Sequence, residues 1–377
     1  MKILICGAGY VGLANALMLS SKHQVSIYEI DKKRVSDISA NDYSILDERN
    51  LEDLPIVNSN ISVTDKNDSV NYDYVIIALP TDSTENGRLD VSNIIDFIGN
   101  HKKTQPNSIY IVKSTLPIGG SKKILDSVGE FIYAPEFLRE GTAVHDAFYP
   151  SRIIIGGTNE LALKASELLS KCVLNQPEII LTNYREAECI KLFSNTYLAM
   201  RIAFFNELDT FMMNENLDSR TIIHGMGLDD RIGLFYNNPS FGFGGYCLPK
   251  DTEEVINSLN TKLISQINNS NSYRIENIIN HILKCGYKKI GVYKLSSKTG
   301  SKGIRNSSTI ILIDALKKHG IEIYVYDPEN QTINDWIRVE STKKLFEITD
   351  IVIANRIDDS IKKYKDKIFT RDIFSCN

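Results

Sequence analysis

The residues best suited to chemistry lie in one glycine-rich stretch, Tyr236-Asn237-Asn238-Pro239-Ser240-Phe241-Gly242-Phe243-Gly244-Gly245-Tyr246-Cys247, with Lys250 and Asp251 just beyond it. Glycines at 242, 244 and 245 let the main chain come close to a ligand. An ammonium beside a thiol favours the nucleophilic thiolate, so Cys247 reads as a covalent catalyst. A cysteine taken alone is usually a small buried hydrophobe. It is the company of Cys247 that sets it apart. A second pair, Lys191 and Asn195, is four residues apart in a helical pattern and so shares one helix face. A lysine with an asparagine one turn on can hold an alcohol oxygen that becomes a carbonyl as hydride leaves.

The partner for such a hydride is written at the start of the chain. Gly7-Ala8-Gly9-Tyr10-Val11-Gly12 has the spacing G-x-G-x-x-G, opens at the end of an apolar strand and leads into a helical pattern. Gly7 permits the tight turn, Gly9 lets the backbone approach a pyrophosphate, and Gly12 lets helix and strand pack closely. The free N–H groups at the helix start then face the phosphates. Glu29 stands at the end of the next strand, where an acid accepts hydrogen bonds from ribose hydroxyls and repels an added phosphate. The implied cofactor is NAD.

These residues need a scaffold, and the flanking patterns supply one. Residues 2–6, 24–30, 74–79, 109–113, 131–133 and 152–156 read as buried strands, with helical patterns at 10–20, 94–100 and 160–172. Such alternation predicts a parallel sheet wrapped by helices. Residues 185–214 contain neither Gly nor Pro and show helical spacing, with Ile190, Phe193, Tyr197, Phe204 and Leu208 as candidates for burial. Helices are expected around 252–259 and 264–285, and an α/β pattern returns with strands at 289–294, 322–326 and 350–354 and a helix at 304–319. The expected fold class is therefore α/β, with two doubly wound Rossmann-like domains joined by a helical segment containing a long central helix. The expected division is a cofactor domain at 1–184, a central helical domain at 185–285 and a C-terminal α/β domain at 286–377.

Composition narrows the classes further. The 377 residues are 42% hydrophobic and 24% charged, which suits a globular chain of two or three domains. Forty-three Lys and Arg against 47 Asp and Glu leave a net charge of −4, so there is no global basic field for nucleic acid or an anionic membrane. The apolar run 3–6 ends at Gly7, short of a signal-peptide core or a membrane span. Six cysteines without a C-x-x-C pair read as reduced thiols of a cytoplasmic protein. The six histidines form no H-x-x-x-H, which leaves a metal site little support.

Five stretches, taken together, resemble the nucleotide-sugar dehydrogenases, and within them the UDP-glucose 6-dehydrogenases. They are Gly7 to Gly12, Lys113-Ser114-Thr115, Ala134-Pro135-Glu136-Phe137-Leu138-Arg139-Glu140-Gly141, Lys191-Leu192-Phe193-Ser194-Asn195-Thr196-Tyr197 and Asn237 to Asp251, in the family's order. The resemblance implies a homodimer that oxidises the primary alcohol of UDP-glucose to a carboxylate with two NAD in succession. It gives Asp251 the hydroxyl proton, through a water, while Lys191 and Asn195 steady the developing oxygen charge. Cys247 then forms a thiohemiacetal and a thioester, and Glu136 or Glu140 assists the water that hydrolyses it; the sequence leaves both open.

The same resemblance places Tyr10, Val11, Glu29, Arg34, Thr81, Thr115, Glu140, Lys250 and Arg305 on the cofactor. It places Glu136, Phe137, Leu138, Arg139, Glu140, Lys191, Asn195, Tyr236, Asn237, Asn238, Pro239, Ser240 and Gly244 around the sugar nucleotide. Lys298 is expected on the UDP phosphates and Arg231 on a sugar across the dimer interface. Relatives acting on GDP-mannose or UDP-N-acetylmannosamine are the alternatives for substrate. A two-electron 3-hydroxyacid dehydrogenase shares the glycine loop and Lys-x-x-x-Asn, but needs neither Cys247 nor the residues from Gly286 onward. A binding protein that senses the cofactor without chemistry gives no reason for the cluster at 247–251.

Overall fold

In the computed structural model the chain begins with β1 (Lys2–Cys6), whose alternate residues face opposite sides of a sheet. Ile3 and Ile5 belong to one buried cluster and Leu4 and Cys6 to another, so both faces of the strand are covered. That double burial is why the parallel strands are near-continuous runs of Ile and Val. The structure describes all residues except 47, 49–50, 65–69, 297–303, 305–306, 331–335 and 376–377.

Contacts divide the chain into two units, Met1–Phe193 and Ser194–Asn377. The first carries β1, β2 (Gln24–Tyr28), β3 (Ile61–Thr64), β4 (Tyr74–Ile77), β5 (Ile109–Val112), β6 (Ile132–Tyr133), β7 (Arg152–Gly156) and β8 (Glu178–Thr182). Their order in the sheet is β3-β2-β1-β4-β5-β6-β7-β8, parallel throughout except where β6 meets β7. The first six strands thus follow the dinucleotide-binding order, and the direction in which strands are added to the sheet reverses between β1 and β4. In such a sheet the crevice at the reversal, beyond the carboxyl ends of the strands, is where a ligand binds. The glycine loop follows β1 and Thr81 follows β4, on either side of that reversal.

The second unit has β9 (Lys289–Tyr293), β10 (Glu322–Tyr326), β11 (Ile337–Arg338), β12 (Ile351–Ile353) and β13 (Ile368–Phe369). They form an all-parallel sheet in the order β11-β10-β9-β12-β13, the same doubly wound plan with five strands in place of six. Phe241 of the glycine-rich stretch is fully buried in the core that β9 and β10 share with helices Ile267–Lys284 and Ser308–Lys318. Burying such a ring contributes roughly 1.5–3 kcal/mol and fixes the loop that carries it.

The long helix runs Tyr184–Asn214, 31 residues or about 45 Å at 1.5 Å per residue. Asn183 starts it: its side-chain oxygen accepts from the Glu186 N–H at 2.9 Å, and Glu186 reaches back to the Asn183 N–H, a capping box. Beyond its end Asn216 takes a left-handed conformation with φ 56°, and the Leu217 N–H closes back onto the Met212 carbonyl. The unit boundary falls within this helix, between Phe193 and Ser194.

Some expectations change. Phe193, Tyr197 and Phe204 are exposed, at 40%, 54% and 49%, although their spacing suggested burial. Helical periodicity identifies a face, but it does not say what covers it. The helix expected near 252–259 begins at Cys247 and runs to Ser258, since Pro249 is tolerated in a first turn, where its missing N–H has no partner to lose. The helix expected from 304 runs Ser308–Lys318.

Candidate active site

The glycine loop meets the geometric demands of a dinucleotide. Gly7 has φ +92°, and a Cβ there would lie 2.7 Å from the Ala78 carbonyl oxygen. A Cβ on Gly12 would lie 1.9 Å from the Gly7 carbonyl oxygen, so no side chain fits between loop and helix. At Gly9 an added Cβ would meet nothing within 4 Å, so the open space lies where a pyrophosphate would approach. Gly9 also caps helix Tyr10–Ser20 without a side chain, leaving the first N–H groups and the positive dipole end clear. These features fit NAD.

Glu29 is buried, and its carboxylate accepts the N–H groups of Ala8 at 2.7 Å, Ile30 at 2.8 Å and Asp31 at 2.9 Å. It therefore ties the end of β2 to the glycine loop. Arg34 stands 3.8 Å from the same carboxylate. Tyr10 and Val11 are half-buried in the first turn of the loop helix, Thr81 is buried, and Thr115 is half-buried after β5.

The segment after β6 carries Glu136 to Glu140. Glu136 is engaged by two donors, the Lys113 ammonium and, at 3.2 Å, the Asn15 amide. The Phe137 ring lies beneath the Arg152 guanidinium at 4.0 Å and the Lys191 ammonium at 5.4 Å. Leu138 packs on the sheet core. Arg139 is exposed and bonds doubly to Asp146, while Glu140 is exposed. Lys191 is 7% exposed, and among the described residues no carboxylate pairs with it. A buried ammonium kept clear of acids suits a donor to a substrate oxygen.

In the second unit Asn195 donates to Asp251 Oδ2 at 2.5 Å, and the Lys250 ammonium meets Asp251 Oδ1 at 2.8 Å. Asp251 is fully buried and Lys250 lies over the Tyr246 ring at 5.1 Å. Helix Cys247–Ser258 carries Cys247, Lys250 and Asp251 on its first turns. Cys247 is half-buried and is the first residue of that helix, where the dipole favours negative charge.

Within the second unit the stretch from Tyr236 to Gly245 is held by several side chains. Tyr236 has φ 55°, a left-handed conformation strained for an aromatic residue, and Asn237 is buried. Asn238 donates to Asp372 at 2.6 Å, Arg356 donates to the Pro239 carbonyl at 2.9 Å, and Asn206 holds the Ser240 N–H at 2.9 Å. Arg274 donates to the Ser240 carbonyl at 2.9 Å. At Gly242, with φ +146°, a Cβ would come within 3.0 Å of Asn271. Gly244 is buried. Arg231 is exposed and paired with Asp229. Lys298 and Arg305 lie outside the described residues.

Sequence reasoning assigned nothing to Lys113, Asn15, Asn206, Arg274 or Asp372. Only Lys113 gave a signal, a lysine ending an Ile-Tyr-Ile-Val strand at the carboxyl edge of a parallel sheet.

A six-strand dinucleotide sheet with its glycine loop, leading to a Lys-x-x-x-Asn helix, defines a dinucleotide-dependent dehydrogenase. The chain belongs to the UDP-glucose/GDP-mannose dehydrogenase family: residues 1–172 match its NAD binding domain and residues 185–273 its central domain. It is 40% identical to a UDP-glucose 6-dehydrogenase of Campylobacter jejuni, over 99% of both chains. It is 35% identical to one from Streptococcus pneumoniae, again over 99% of both. A UDP-glucose dehydrogenase structure from Pyrobaculum islandicum superposes with a TM-score of 0.83 at 25% identity, covering 94% of this chain and 89% of that one. Among the described residues no helix is long and apolar enough to cross a membrane.

Proposed function

We propose that this protein oxidises the C6 hydroxymethyl group of UDP-glucose to the carboxylate of UDP-glucuronate, using NAD, in the cytoplasm. The observation that carries the reading is that Asn195 of the long helix bonds to Asp251, which also meets Lys250, on the helix whose first residue is Cys247. Full-length relatives named as UDP-glucose 6-dehydrogenases support the substrate. Residues 1–184 would bind NAD, 185–285 would serve dimerisation and the sugar, and 286–377 the UDP group.

NAD, held at the loop from Gly7 to Gly12 and at Glu29, would supply the hydride acceptor for each oxidation at C6. Lys191 and Asn195 hold the C6 oxygen as charge develops on it, and Asp251 takes the hydroxyl proton through a water. The Cys247 sulfur attacks the aldehyde carbon to give a thiohemiacetal, whose oxidation leaves a thioester. Covalent capture keeps the aldehyde from escaping between the two oxidations. Water then hydrolyses the thioester. Glu136 suits the assisting base better than Glu140, because it is fixed by two donors while Glu140 is exposed.

Exposed rings at Phe193, Tyr197, Phe204 and Phe211 support a homodimer, since their offsets of 4, 11 and 18 residues put them within about 40° of one another on the long helix. The deciding measurement is NADH formed per sugar consumed, with UDP-glucose, GDP-mannose and UDP-N-acetylmannosamine compared as substrates. Two NADH per sugar and a preference for UDP-glucose are expected. One NADH per sugar would identify a two-electron dehydrogenase instead.

A further inference from the structure

Lys113 is 7% exposed and Glu136 only 13%, so both ions have been withdrawn from most of their water. A buried ion pair is a poor source of stability, because desolvation consumes much of the Coulomb gain and an apolar pair would serve as well. Its presence at the carboxyl edge of the cofactor sheet therefore calls for another reason, and the bonding pattern suggests one. Lys113 and Asn15 both donate to Glu136 Oε1. Among the described residues Oε2 has no donor.

Both donors are themselves held rigidly. Lys113 stands one residue past β5, and its backbone N–H donates to the Ile77 carbonyl at 2.8 Å. Asn15, 2% exposed, also donates to the Val11 carbonyl at 2.9 Å within the glycine-loop helix. One carboxylate oxygen is thus fixed from two elements, while the lone pairs of the second are left without a donor among the described residues.

We propose that Lys113, with Asn15, is a positioning residue that fixes Glu136 so that its Oε2 serves as the base in the proposed thioester hydrolysis. This rests on the reading of Glu136 as the base for the hydrolytic water. In the step the water oxygen bonds to the thioester carbon and one water proton passes to Glu136 Oε2. The carbon–sulfur bond breaks, the Cys247 thiolate leaves with the bond pair, and no hydride moves. A residue acting only here slows turnover after both hydrides have gone, so its loss should build up acyl-enzyme.

The test compares Lys113→Met, Lys113→Arg and Glu136→Gln in the full-length enzyme with UDP-glucose and NAD. It follows the NADH burst, steady-state turnover, KM and the intact mass of the protein. Lys113→Met should keep a normal burst and kcat/KM, lose about tenfold or more in kcat with KM falling in parallel, and accumulate the sugar-nucleotide adduct on Cys247. Lys113→Arg should restore much of that loss. A Lys113→Met enzyme with unchanged kcat, or with a lost burst and no adduct, would overturn the proposal. Should Lys113→Met fail to fold, Asn15→Ala carries the same expectations and the same overturning results. Glu136→Gln separates the two ideas: adduct in Glu136→Gln but not in Lys113→Met removes only the role of Lys113, and no adduct in Glu136→Gln removes the base itself.

Discussion

The Asn195 amide donates to the Asp251 carboxylate at 2.5 Å, joining the long helix to the helix that opens with Cys247. Asp251 receives the Lys250 ammonium on its other oxygen, so one buried carboxylate sets the position of two donors. Asp251→Asn would keep the shape but remove the charge facing Lys250. Breaking a buried pair in this way costs about 3–5 kcal/mol. Removing the proton acceptor should lower kcat by about a hundredfold or more. Thermal melting and the first NADH burst check the two effects separately; an Asp251→Asn enzyme with a normal burst would exclude Asp251 as the acceptor.

Cys247→Ser keeps the helix start and the Asp251 array but replaces the better nucleophile. The first oxidation should survive and the second fail, leaving at most one NADH per sugar and no covalent adduct in the mass spectrum. Normal uronate production by this variant would rule out the covalent route.

The glycines of the loop should fail in different ways. Gly12→Ala places a methyl group 1.9 Å from a backbone oxygen, so the variant should melt much lower or not fold. Gly9→Ala meets open space in the protein and should fold normally, while binding NAD more weakly because the methyl group fills the pyrophosphate's approach. Calorimetric titration with NAD, beside thermal melts of both variants, checks the contrast. Equal NAD affinity in Gly9→Ala and the parent would place the cofactor elsewhere.

Much of this was legible in the sequence because it is local. The glycine loop follows β1 directly, Lys191 and Asn195 share a helix face by spacing alone, and strong Ile/Val runs mark β1, β4, β5 and β7. Weak local signals were lost: β11 and β13 have two residues each, and β3 is Ile-Ser-Val-Thr beside undescribed residues. Contacts between distant positions were also hidden. Lys113 and Glu136 lie 23 residues apart, Asn238 and Asp372 lie 134 apart, and neither pairing leaves a periodic trace. The apolar rings of the long helix were legible as a face, but their exposure was not.

That exposed face gives a prediction of its own. Phe204 and Phe211 are 49% and 58% exposed on one side of the long helix. If a second copy covers them, Phe204→Glu combined with Phe211→Glu should place charges in an apolar interface and shift the protein to monomer. Sedimentation velocity reads the result. A variant with the parent's sedimentation coefficient would move the dimer contact off this stripe.

Asp209 is fully buried and bonds to Arg274 at 2.5 Å, and Arg371 reaches it from the C-terminal segment at 2.9 Å. Burial opposes its ionisation, but the hydrogen bond from Arg371 and the charges of Arg274 and Arg371 outweigh that and hold the carboxyl below its usual range. An unfolded aspartate titrates near pH ~3.9, so on acidification the unfolded chain takes up this proton first. The stabilisation is therefore complete above the unfolded value and is lost as pH falls from about 4 through the lower folded value. Over that window one such group changes stability by roughly 1.4 kcal/mol per pH unit. Asp209→Asn should be less stable at neutral pH, with the buried Arg274 and half-buried Arg371 guanidinium groups left facing an amide, and its acid slope should be shallower. Urea unfolding from pH 7 to 3 measures both, and an unchanged slope in Asp209→Asn would assign the acid sensitivity to other carboxylates. Because Arg274 also holds the Ser240 carbonyl, the same variant should raise the KM for the sugar nucleotide.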